Sequence, residues 1–375
     1  MTPSRSPQAA WLSVPPHIAQ LSPYVPGKPA EEVERELGIT GVIKVASNEN
    51  PLGPSPRAVR AASEALADSH LYPDGSGYRL RGALAESLAV SPSEIALGAG
   101  SNELIHLLVH AFCRPGHDQV LTHKSAFVSY RLAAMSFGVD AVEAPVGPGL
   151  RLDVDALCEH ITDQTRLVFV ANPNNPTGAA LTRKELEALI ERVPERALLV
   201  IDEAYHEYAV ALSDSWPASQ PYRARRPSLV TLRTFSKIYG MAGLRMGYGI
   251  ADPQVVALIN RVRRPFHVSA IAQAAAVAAL GDSEHVAASV EHARAILGAL
   301  SDRIRALGAV PLPSLCNFVL VDVGRPSSAV SDAMQRHGVI ARPMAGWGLP
   351  NHVRVSLPNA RDLDKVVAGI EHALR

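Results

Sequence analysis

The chain has 375 residues, 47% apolar and 19% charged, and its 36 basic and 36 acidic side chains give a formal net charge of zero. This size favours two packed domains or one large domain with an appendage. The neutral balance excludes an electrostatic signal for nucleic acid or an acidic membrane, and no apolar run approaches a membrane span. The three cysteines, Cys113, Cys158 and Cys316, form no disulfide or metal pattern, which suits a reducing, cytoplasmic compartment.

The N-terminal part predicts an arm followed by a short structured segment. Residues 1–16 (MTPSRSPQAAWLSVPP) are rich in proline and serine and lack the apolar core of a signal peptide, so we expect a flexible arm. EEVERELG (31–38) has helical spacing, IKVAS (43–47) is typical of a strand, and NENPLGPSP (48–56) is rich in turn formers. We expect residues 17–56 to join a small domain whose other part is C-terminal.

Residues 57–265 predict a large α/β domain. Helical patterns cover 57–67, 102–112, 127–138 and 181–193, the last with Thr182 as its N-cap, and HLYPDGSGYR (70–79) is predicted as a loop. Short apolar runs predict strands in this order: EIALG (94–98), QVLT (119–122), LVFVA (167–171), LLVI (198–201), SLVTL (228–232) and YGI (248–250). Because apolar strands separated by helices are typical of buried parallel sheets, we predict a mostly parallel central sheet.

Residues 266–375 predict a smaller α+β domain. Two alanine-rich helical patterns (270–280 and 285–308) are followed by the strand patterns NFVLVDV (317–323) and HVRVSL (352–357). The predicted fold class is therefore α/β, with a large and a small domain.

Four predicted strands are each followed by residues that can carry chemistry. They lead into AGSNE (99–103), NPNNPTG (172–178), DEAY (202–205) and TFSK (234–237). Because ligands of open α/β sheets bind outside the carboxyl ends of the strands, we expect these residues to meet at one rim.

Each stretch also has an ordinary structural interpretation. GAGSNE is either a plain strand-to-helix turn or a cradle whose N–H groups face a phosphate. NPNNPTG is either a turn or a constrained loop, in which a cis bond at one Asn-Pro step would fit. Asp202 either caps a helix or, directly after four apolar residues, needs a cationic partner. Lys237 could equally be an ordinary solvated lysine, and Tyr205 could be a residue that only packs in the core. Arg245 could form an ion pair with a surface carboxylate.

Together, these residues would be accounted for by a single bound ligand. It must carry a phosphate, a basic ring nitrogen for Asp202, a ring oxygen for an asparagine and Tyr205, and an aldehyde for Lys237. Pyridoxal 5′-phosphate has all four groups. The chain has six lysines against thirty arginines, yet an arginine could not replace Lys237, because its guanidinium stays protonated and forms no stable imine.

Several motifs resemble a known family. TFSKIYGMAGLRMGYG (234–249) resembles the Ser-Lys-x-x-Gly-x-x-Gly-x-Arg-x-Gly signature of class I and II aminotransferases, fold type I enzymes that use pyridoxal phosphate. LSPYVPGKP, IKVASNENPLGPSP, YPDGSGYRLR, ANPNNPTG and DEAYHEY are similar to histidinol-phosphate aminotransferases, and the resemblance runs from about residue 17 to the C-terminus. These motifs are highly specific for the cofactor and less specific for the substrate.

The resemblance implies roles for the cofactor site. Lys237 would hold the cofactor's aldehyde covalently and later move a proton from the substrate's α-carbon. Asp202 would keep the ring nitrogen protonated, which makes the ring an electron sink. Asn175 and Tyr205 would bond the ring oxygen, and Phe127 would lie on the ring face. The implied phosphate ligands are Gly100, Ser101, Asn102, Ser236 and Arg245.

The resemblance also implies substrate contacts and a second subunit. Tyr72 would reach the phosphate of the neighbouring subunit's cofactor, so a homodimer is expected. The implied substrate contacts are Tyr24, Asn48, Arg342 and Arg354. Arg354 would hold the anionic end of the substrate, and a phosphate or a carboxylate suits its fork equally. His267, in RRPFHVS, and VSLPNA (355–360) depart from the family pattern and are predicted to flank the substrate pocket.

The implied activity is that of a dimeric, cytoplasmic aminotransferase that interconverts histidinol phosphate and imidazole acetol phosphate, with glutamate and 2-oxoglutarate, in histidine biosynthesis. No metal, nucleic acid or membrane is implied. One alternative is an aromatic amino acid aminotransferase. Another is a lyase resembling threonine-phosphate decarboxylase, in which the substrate's carboxylate leaves in place of its α-proton. A non-catalytic regulator is disfavoured, because Lys237 is present and no DNA-binding region is added.

Overall fold

The computed structural model describes residues 13–21 and 27–375, and its largest element is a seven-stranded sheet. The strands are β1 (Ile43–Lys44), β2 (Ile95–Gly98), β3 (Gln119–His123), β4 (Asp140–Ala144), β5 (Thr165–Ala171), β6 (Leu198–Asp202), β7 (Leu229–Thr234), β8 (Gly247–Ile250), β9 (Val310–Pro311), β10 (Phe318–Asp322), β11 (Val339–Ile340), β12 (Arg342–Pro343) and β13 (His352–Ser356). The helices are α1 (Pro16–Ala19), α2 (Ala30–Leu37), α3 (Pro56–Ala65), α4 (Tyr78–Leu88), α5 (Ser101–Phe112), α6 (Ser129–Ser136), α7 (Val154–Glu159), α8 (Arg183–Arg192), α9 (His206–Leu212), α10 (Pro253–Val262), α11 (Ala270–Leu280), α12 (Ser283–Ala306), α13 (Ser327–Arg336) and α14 (Leu363–Leu374).

The seven-stranded sheet has the order β2-β8-β7-β6-β5-β3-β4. All neighbouring pairs are parallel except the two that involve β8, which runs antiparallel to β2 and β7. Along β5, Leu167 and Phe169 join one buried apolar cluster, whereas Val168 and Val170 join another. Because side chains alternate across a strand, apolar residues cover both faces of the sheet. The prediction of a mostly parallel, doubly covered sheet is confirmed.

The strand register brings the predicted chemical residues to one rim. Asp202, the last residue of β6, pairs with Ala171 at the end of β5 and with Leu232 near the end of β7. The reversed strand β8 begins at this same rim, where Gly247 pairs with both Thr234 and Gly98. The loops after β2, β5, β6 and β7 therefore start side by side.

A second, antiparallel sheet with the order β12-β13-β10-β9 lies in the C-terminal part of the chain. The N-terminal segment joins this part, since β1 pairs in parallel with β11. Helix α11, however, packs against α3 and α4. The proposed division between residues 265 and 266 therefore stays a prediction, as do the other domain limits.

Local signals explain where several elements begin. The side chain of Thr182 accepts the Glu185 N–H while Glu185 bonds back to the Thr182 N–H, so the predicted N-cap of α8 is confirmed as a capping box. The loop prediction for residues 70–79 was wrong at its end, because α4 already begins at Tyr78. No strand was predicted at β4, whose residues are mostly polar or half-exposed. Within the described residues no helix is both long and apolar enough to cross a membrane.

Candidate active site

Two adjoining pockets lie at the carboxyl ends of the central strands. The inner pocket, with an empty volume of about 700 Å³, is bounded by the ends of β5, β6 and β7 and the start of α5. The outer pocket, of about 1920 Å³, extends toward β12, β13 and the segment after β1. Both pockets share the following residues: Asn102, Phe127, Asn175, Lys237, Ala242 and Arg245. They therefore form one continuous cleft.

Lys237 stands at the junction of the two pockets. Its Nζ donates to the carbonyl oxygens of Ser47 and Asn48, both at 3.4 Å, and lies 5.7 Å from the ring centre of Tyr205. Burial lowers the pKa of Lys237 to about 8, and the guanidinium of Arg354 adds to this lowering. The side chain can therefore be a neutral, nucleophilic amine at a pH where ordinary lysines are fully charged.

Asp202 is a buried carboxylate on the wall of the inner pocket. Its Oδ2 accepts the hydroxyl of Tyr130 at 2.9 Å, and its Oδ1 accepts the Ala204 N–H at 3.1 Å. Burial raises the pKa of Asp202 to about 6, although the bond from Tyr130 acts in the opposite direction. Among the described residues no cation is in ion-pair contact with Asp202, although the charge of Lys237 acts to lower its pKa. The site therefore lacks the positive partner that a buried carboxylate needs.

Tyr205 and Asn48 link the inner pocket to the C-terminal sheet. The Asn48 side chain donates from Nδ2 to Tyr205 Oη at 2.8 Å and accepts at Oδ1 from Ser356 Oγ at 2.9 Å. Asn48 was predicted as a substrate contact. It lines the outer pocket, but both polar atoms of its side chain are engaged within the protein, so its geometry favours holding Tyr205.

A turn and a helix start form a cradle at one end of the inner pocket. Gly100 has a φ of 80° and precedes α5, whose first N–H groups belong to Ser101 and Asn102. A Cβ on Gly100 would lie 2.4 Å from Arg245 Nη2, and one on Gly247 would lie 2.3 Å from Ser101 N. A side chain at Gly247 is excluded by the backbone of Ser101, whereas one at Gly100 would displace the Arg245 guanidinium. Arg245 Nη1 also donates to Ser236 Oγ at 3.2 Å, which completes an anion-binding arrangement.

Glu103 and His267 stabilise the turn that precedes the cradle. Glu103 Oε2 accepts the Ala99 N–H at 2.6 Å and lies 2.6 Å from His267 Nδ1. Burial opposes ionisation of Glu103, but these bonds and the charge of His267 outweigh it and lower the pKa of the carboxyl. His267 lines neither the inner nor the outer pocket and bonds to Glu103 of α5, so its place beside the substrate pocket stays a prediction.

The NPNNPTG loop is fixed at both of its Asn-Pro steps, which are cis. Asn172 Oδ1 accepts the Leu181 N–H at 2.9 Å and the indole N–H of Trp216 at 3.2 Å. This anchoring turns Asn175 into the cleft, where Arg354 donates from Nη1 to its Oδ1. Arg354 also donates from Nη2 to the Ala46 carbonyl at 2.7 Å. The loop and β13 thereby meet at the junction of the two pockets.

Most residues predicted for the site meet in this cleft. The inner pocket is lined by Ser101, Asn102, Phe127, Asn175, Asp202, Tyr205, Ser236, Lys237 and Arg245. The outer pocket adds Asn48, Arg342 and Arg354. Tyr72 lies elsewhere: it is 82% exposed and stacks on Phe266 with 4.7 Å between the ring centres. Tyr24 falls outside the described residues.

Sequence reasoning missed three residues of the cleft. Tyr130 is fully buried, stacks on Phe169 at 4.9 Å between ring centres and donates to Asp202. Its only signal was the helical spacing of three from Phe127. His106 and Trp347 line the outer pocket, and the guanidinium of Arg342 lies 5.1 Å from the ring centre of Trp347. No motif marked either residue.

A family model described as aminotransferase class I and II matches residues 40–370. The chain belongs to the class I and II aminotransferase family. It is 50% identical over 362 residues to a histidinol-phosphate aminotransferase of Anaeromyxobacter sp. (strain Fw109-5), a match that covers 96% of this chain and 99% of the relative. A histidinol-phosphate aminotransferase 1 of Nitrosococcus oceani is 44% identical, with 95% of each chain covered.

Solved structures agree with this membership. The fold is similar to that of histidinol-phosphate aminotransferase from Sinorhizobium meliloti in complex with pyridoxal 5′-phosphate, with a TM-score of 0.89, 30% identity and coverage of 98% of this chain and 99% of the other. It is also similar to an aspartate aminotransferase double mutant of Thermus thermophilus, with a TM-score of 0.84, 25% identity and coverage of 96% and 100%. The fold is therefore that of this aminotransferase family, and the chain is an enzyme of that class.

Proposed function

We propose that the protein is a pyridoxal-phosphate-dependent aminotransferase that interconverts histidinol phosphate and imidazole acetol phosphate, with glutamate and 2-oxoglutarate as the amino pair, in histidine biosynthesis. The observation that carries this proposal is the pairing, in one cleft, of a lysine with a lowered pKa and a buried carboxylate that has no cationic partner among the described residues. The names of the relatives support the choice of substrate.

The residues of the inner pocket fit pyridoxal phosphate. The cradle of Ser101, Asn102, Ser236 and Arg245 suits its phosphate. Asn102 Oδ1 is buried without a partner among the described residues; as an acceptor it can bond a donor of a ligand but not the phosphate, which the N–H groups at the start of α5 can face. Asp202 suits the basic ring nitrogen, whose positive charge would compensate the buried carboxylate. A bound cofactor would therefore compensate the buried charged and polar groups of this pocket.

When it is bound, pyridoxal phosphate supplies an aldehyde that holds the amino group and a ring that accepts electrons. The chain's own residues set up this chemistry. Lys237 is the base that can take the proton from the substrate's α-carbon, because a pKa near 8 leaves roughly half of the amine neutral at that pH. Asp202 would hold the proton on the ring nitrogen. Tyr205 and Asn175 would bond the ring oxygen, and Phe127 would cover the ring face.

The outer pocket suits a flat, anionic substrate. Arg342 and Arg354 line it, and Lys44, which pairs with Glu49 at 2.9 Å, adds a third cation. The apolar side chains on its wall are Leu21, Phe127, Val128, Leu132 and Trp347, beside several polar ones. This combination favours a phosphate on one end of the substrate and a flat ring on the other, as in histidinol phosphate, because a dianion is held best by several fixed cations.

We further propose a homodimer in the cytoplasm. Tyr72 and Tyr78 are 82% and 80% exposed and Leu71 is 61% exposed, so large apolar side chains of one chain segment lie on the surface. Such side chains usually mark an interface, and Tyr72 is the residue expected to reach the partner's cofactor. The cysteines are all free, which suits a reducing compartment. Sedimentation at micromolar concentration tests the dimer, and a monomer would contradict it.

The function is tested by trapping and by half-reactions. Borohydride reduction of the purified enzyme should fix the cofactor onto Lys237, as located by peptide mass, and Lys237→Ala should abolish both labelling and transamination. Lys184, exposed on α8, provides the matched control, because Lys184→Ala should retain both. A Lys237→Ala enzyme that still transaminates would refute the mechanism.

The substrate is tested by offering histidinol phosphate, phenylalanine and threonine phosphate separately to the loaded enzyme. We expect conversion to the pyridoxamine form with histidinol phosphate at a rate far above that with phenylalanine. Conversion by phenylalanine alone would replace the proposed substrate with an aromatic amino acid. Release of carbon dioxide from threonine phosphate, without accumulation of the pyridoxamine form, would identify a lyase.

A further inference from the structure

Three buried residues form a chain of hydrogen bonds that ends at the inner pocket. The Asn48 backbone N–H donates to Ser356 Oγ at 2.8 Å, and Ser356 Oγ lies 2.9 Å from Asn48 Oδ1. Asn48 Nδ2 lies 2.8 Å from Tyr205 Oη. The chain therefore runs from β13, through the segment after β1, to a residue of the cofactor pocket.

The chemistry of these groups fixes the direction of the chain. Ser356 Oγ already accepts the Asn48 N–H, so the hydrogen of its own hydroxyl needs an acceptor. Of the two ends of the Asn48 amide only Oδ1 can accept, so Oδ1 faces Ser356 and Nδ2 faces Tyr205. Tyr205 Oη then accepts from Asn48, and its own hydrogen must be donated elsewhere. Since Tyr205 lines the inner pocket, the pocket is where that hydrogen can find an acceptor.

We propose that Asn48 and Ser356 are positioning residues that make Tyr205 a hydrogen-bond donor toward the cofactor's ring oxygen. The inference rests on the proposed function, since it assumes pyridoxal phosphate in the inner pocket. Without Asn48, the phenol could turn its hydrogen toward the protein and present a lone pair to the ring oxygen, which would be repulsive. The chain of hydrogen bonds thus selects one of two orientations of the Tyr205 hydroxyl that the phenol itself does not distinguish.

The backbone of Asn48 supports a specific role for this residue. Its φ is 57°, a left-handed conformation that is uncommon for residues other than glycine. The conformation is held by the bond from Asn48 N to Ser356 and by Asn317 Nδ2, which donates to the Asn48 carbonyl at 3.1 Å. Asparagine adopts this conformation more readily than most other residues, so the position suits Asn48. Here the conformation turns the amide toward Tyr205.

The test compares the wild type with Asn48→Asp, Tyr205→Phe and the double variant. An aspartate has the size of asparagine but only accepts, so it would draw the Tyr205 hydrogen away from the pocket. We expect Asn48→Asp and Tyr205→Phe each to weaken pyridoxal phosphate binding to the apo-enzyme about 5- to 10-fold, the size of one hydrogen bond. Both should raise the pH midpoint of the bound cofactor's absorbance change, because a donor to the ring oxygen favours its anionic form.

The double variant separates the hydrogen bond from the added charge. If Asn48 acts through the phenol, the double variant should match Tyr205→Phe within about 2-fold. The charged or titratable groups that act on Tyr205 are Asp202, Arg354 and Cys316, and Lys237 faces its ring; all four are the same in the wild type and the three variants. An Asn48→Asp effect that is as large in the Tyr205→Phe background as in the wild type would overturn the proposal.

Two further variants complete the design. Asn50 is buried two residues away and donates to the Ile238 carbonyl and to Ser289 Oγ, not to Tyr205. Asn50→Asp therefore adds the same charge nearby and should leave the midpoint unchanged. Ser356→Ala adds no charge, but it removes the hydroxyl that orients the Asn48 side-chain amide. It should therefore raise the midpoint, and Ser356→Thr should restore the wild-type midpoint. A midpoint that Ser356→Ala leaves unchanged would overturn the inference alone, whereas a wild-type protein that binds no pyridoxal phosphate would overturn it together with the proposed function.

Discussion

Replacing Gly100 with alanine should damage cofactor binding without comparable damage to folding. The added Cβ would lie 2.4 Å from Arg245 Nη2, whereas ordinary contact begins at 3.4 Å. The guanidinium must therefore move by roughly 1 Å, which a flexible side chain can do at little cost. A displacement of this size breaks a charge-assisted bond to the phosphate, worth about 1.5–3 kcal/mol. The dissociation constant of pyridoxal phosphate should consequently rise about 10- to 100-fold.

Folding of the apo-protein should respond differently. Gly100 has a φ of 80° and a ψ of 160°, a region essentially restricted to glycine, so alanine there costs about 1–3 kcal/mol of backbone strain. Gly116 provides a matched control, because its φ is 70° and a Cβ there meets nothing within 4 Å. Gly116→Ala should lose a similar free energy of unfolding and keep the wild-type affinity for the cofactor.

The assay is titration of each apo-enzyme with pyridoxal phosphate, followed by fluorescence quenching, together with urea unfolding without cofactor. Both variants place alanine at a positive φ, so comparing them shows whether the loss of cofactor affinity follows from loss of stability or from the contact with Arg245. The reasoning would be refuted if a folded Gly100→Ala protein bound the cofactor like the wild type, or if Gly116→Ala lost as much affinity.

Three other predictions concern charged groups of the cleft. The pKa of Asp202 is about 6 in the folded protein against 3.8 ordinarily, so the apo-protein should lose stability as the pH rises from about 4 to 6. In urea unfolding at pH 8, Asp202→Asn should remove up to about 3 kcal/mol of that loss. The same variant should abolish cofactor binding. At pH 8, Lys237 of the apo-enzyme should react with an amine reagent ahead of the other lysines, as measured by peptide mass, because its pKa is about 8; equal labelling of Lys184 would contradict this. Arg354→Gln should lower kcat/KM for histidinol phosphate roughly 10- to 100-fold with a much smaller change in cofactor affinity, and an equal loss of both would show that Arg354 acts through the cofactor.

The sequence predicted the sheet and the cofactor residues because both follow from strand ends. Apolar runs locate buried strands, and in a parallel sheet the residue after each run falls on one rim. Asp202 and Lys237 could therefore be assigned to the same site before any contact was known. The family resemblance added the choice of Asn175 among the asparagines of its loop and the role of Arg245 as a phosphate ligand.

Other features depend on contacts that no short pattern encodes. Tyr130 looks like any core residue of an amphipathic helix, and its bond to Asp202 joins positions 72 residues apart. The direction of β8 could not be predicted either, since a short apolar run has no polarity of its own. The resemblance implied Asn48 as a substrate contact, but it could not show the bonds of Asn48 to Tyr205 and Ser356, which lie far along the chain.

The bond between Asn48 and Ser356 spans 308 residues, and this distance has a consequence for synthesis on the ribosome. All strands of the central sheet precede residue 251, so the sheet can form while the C-terminal part is still being made. Arg354 and Ser356 emerge only with the last stretch of the chain, and Asn48 has no β13 to hold it before then. Until β13 has been made, the nascent protein therefore carries Lys237 in an incomplete pocket.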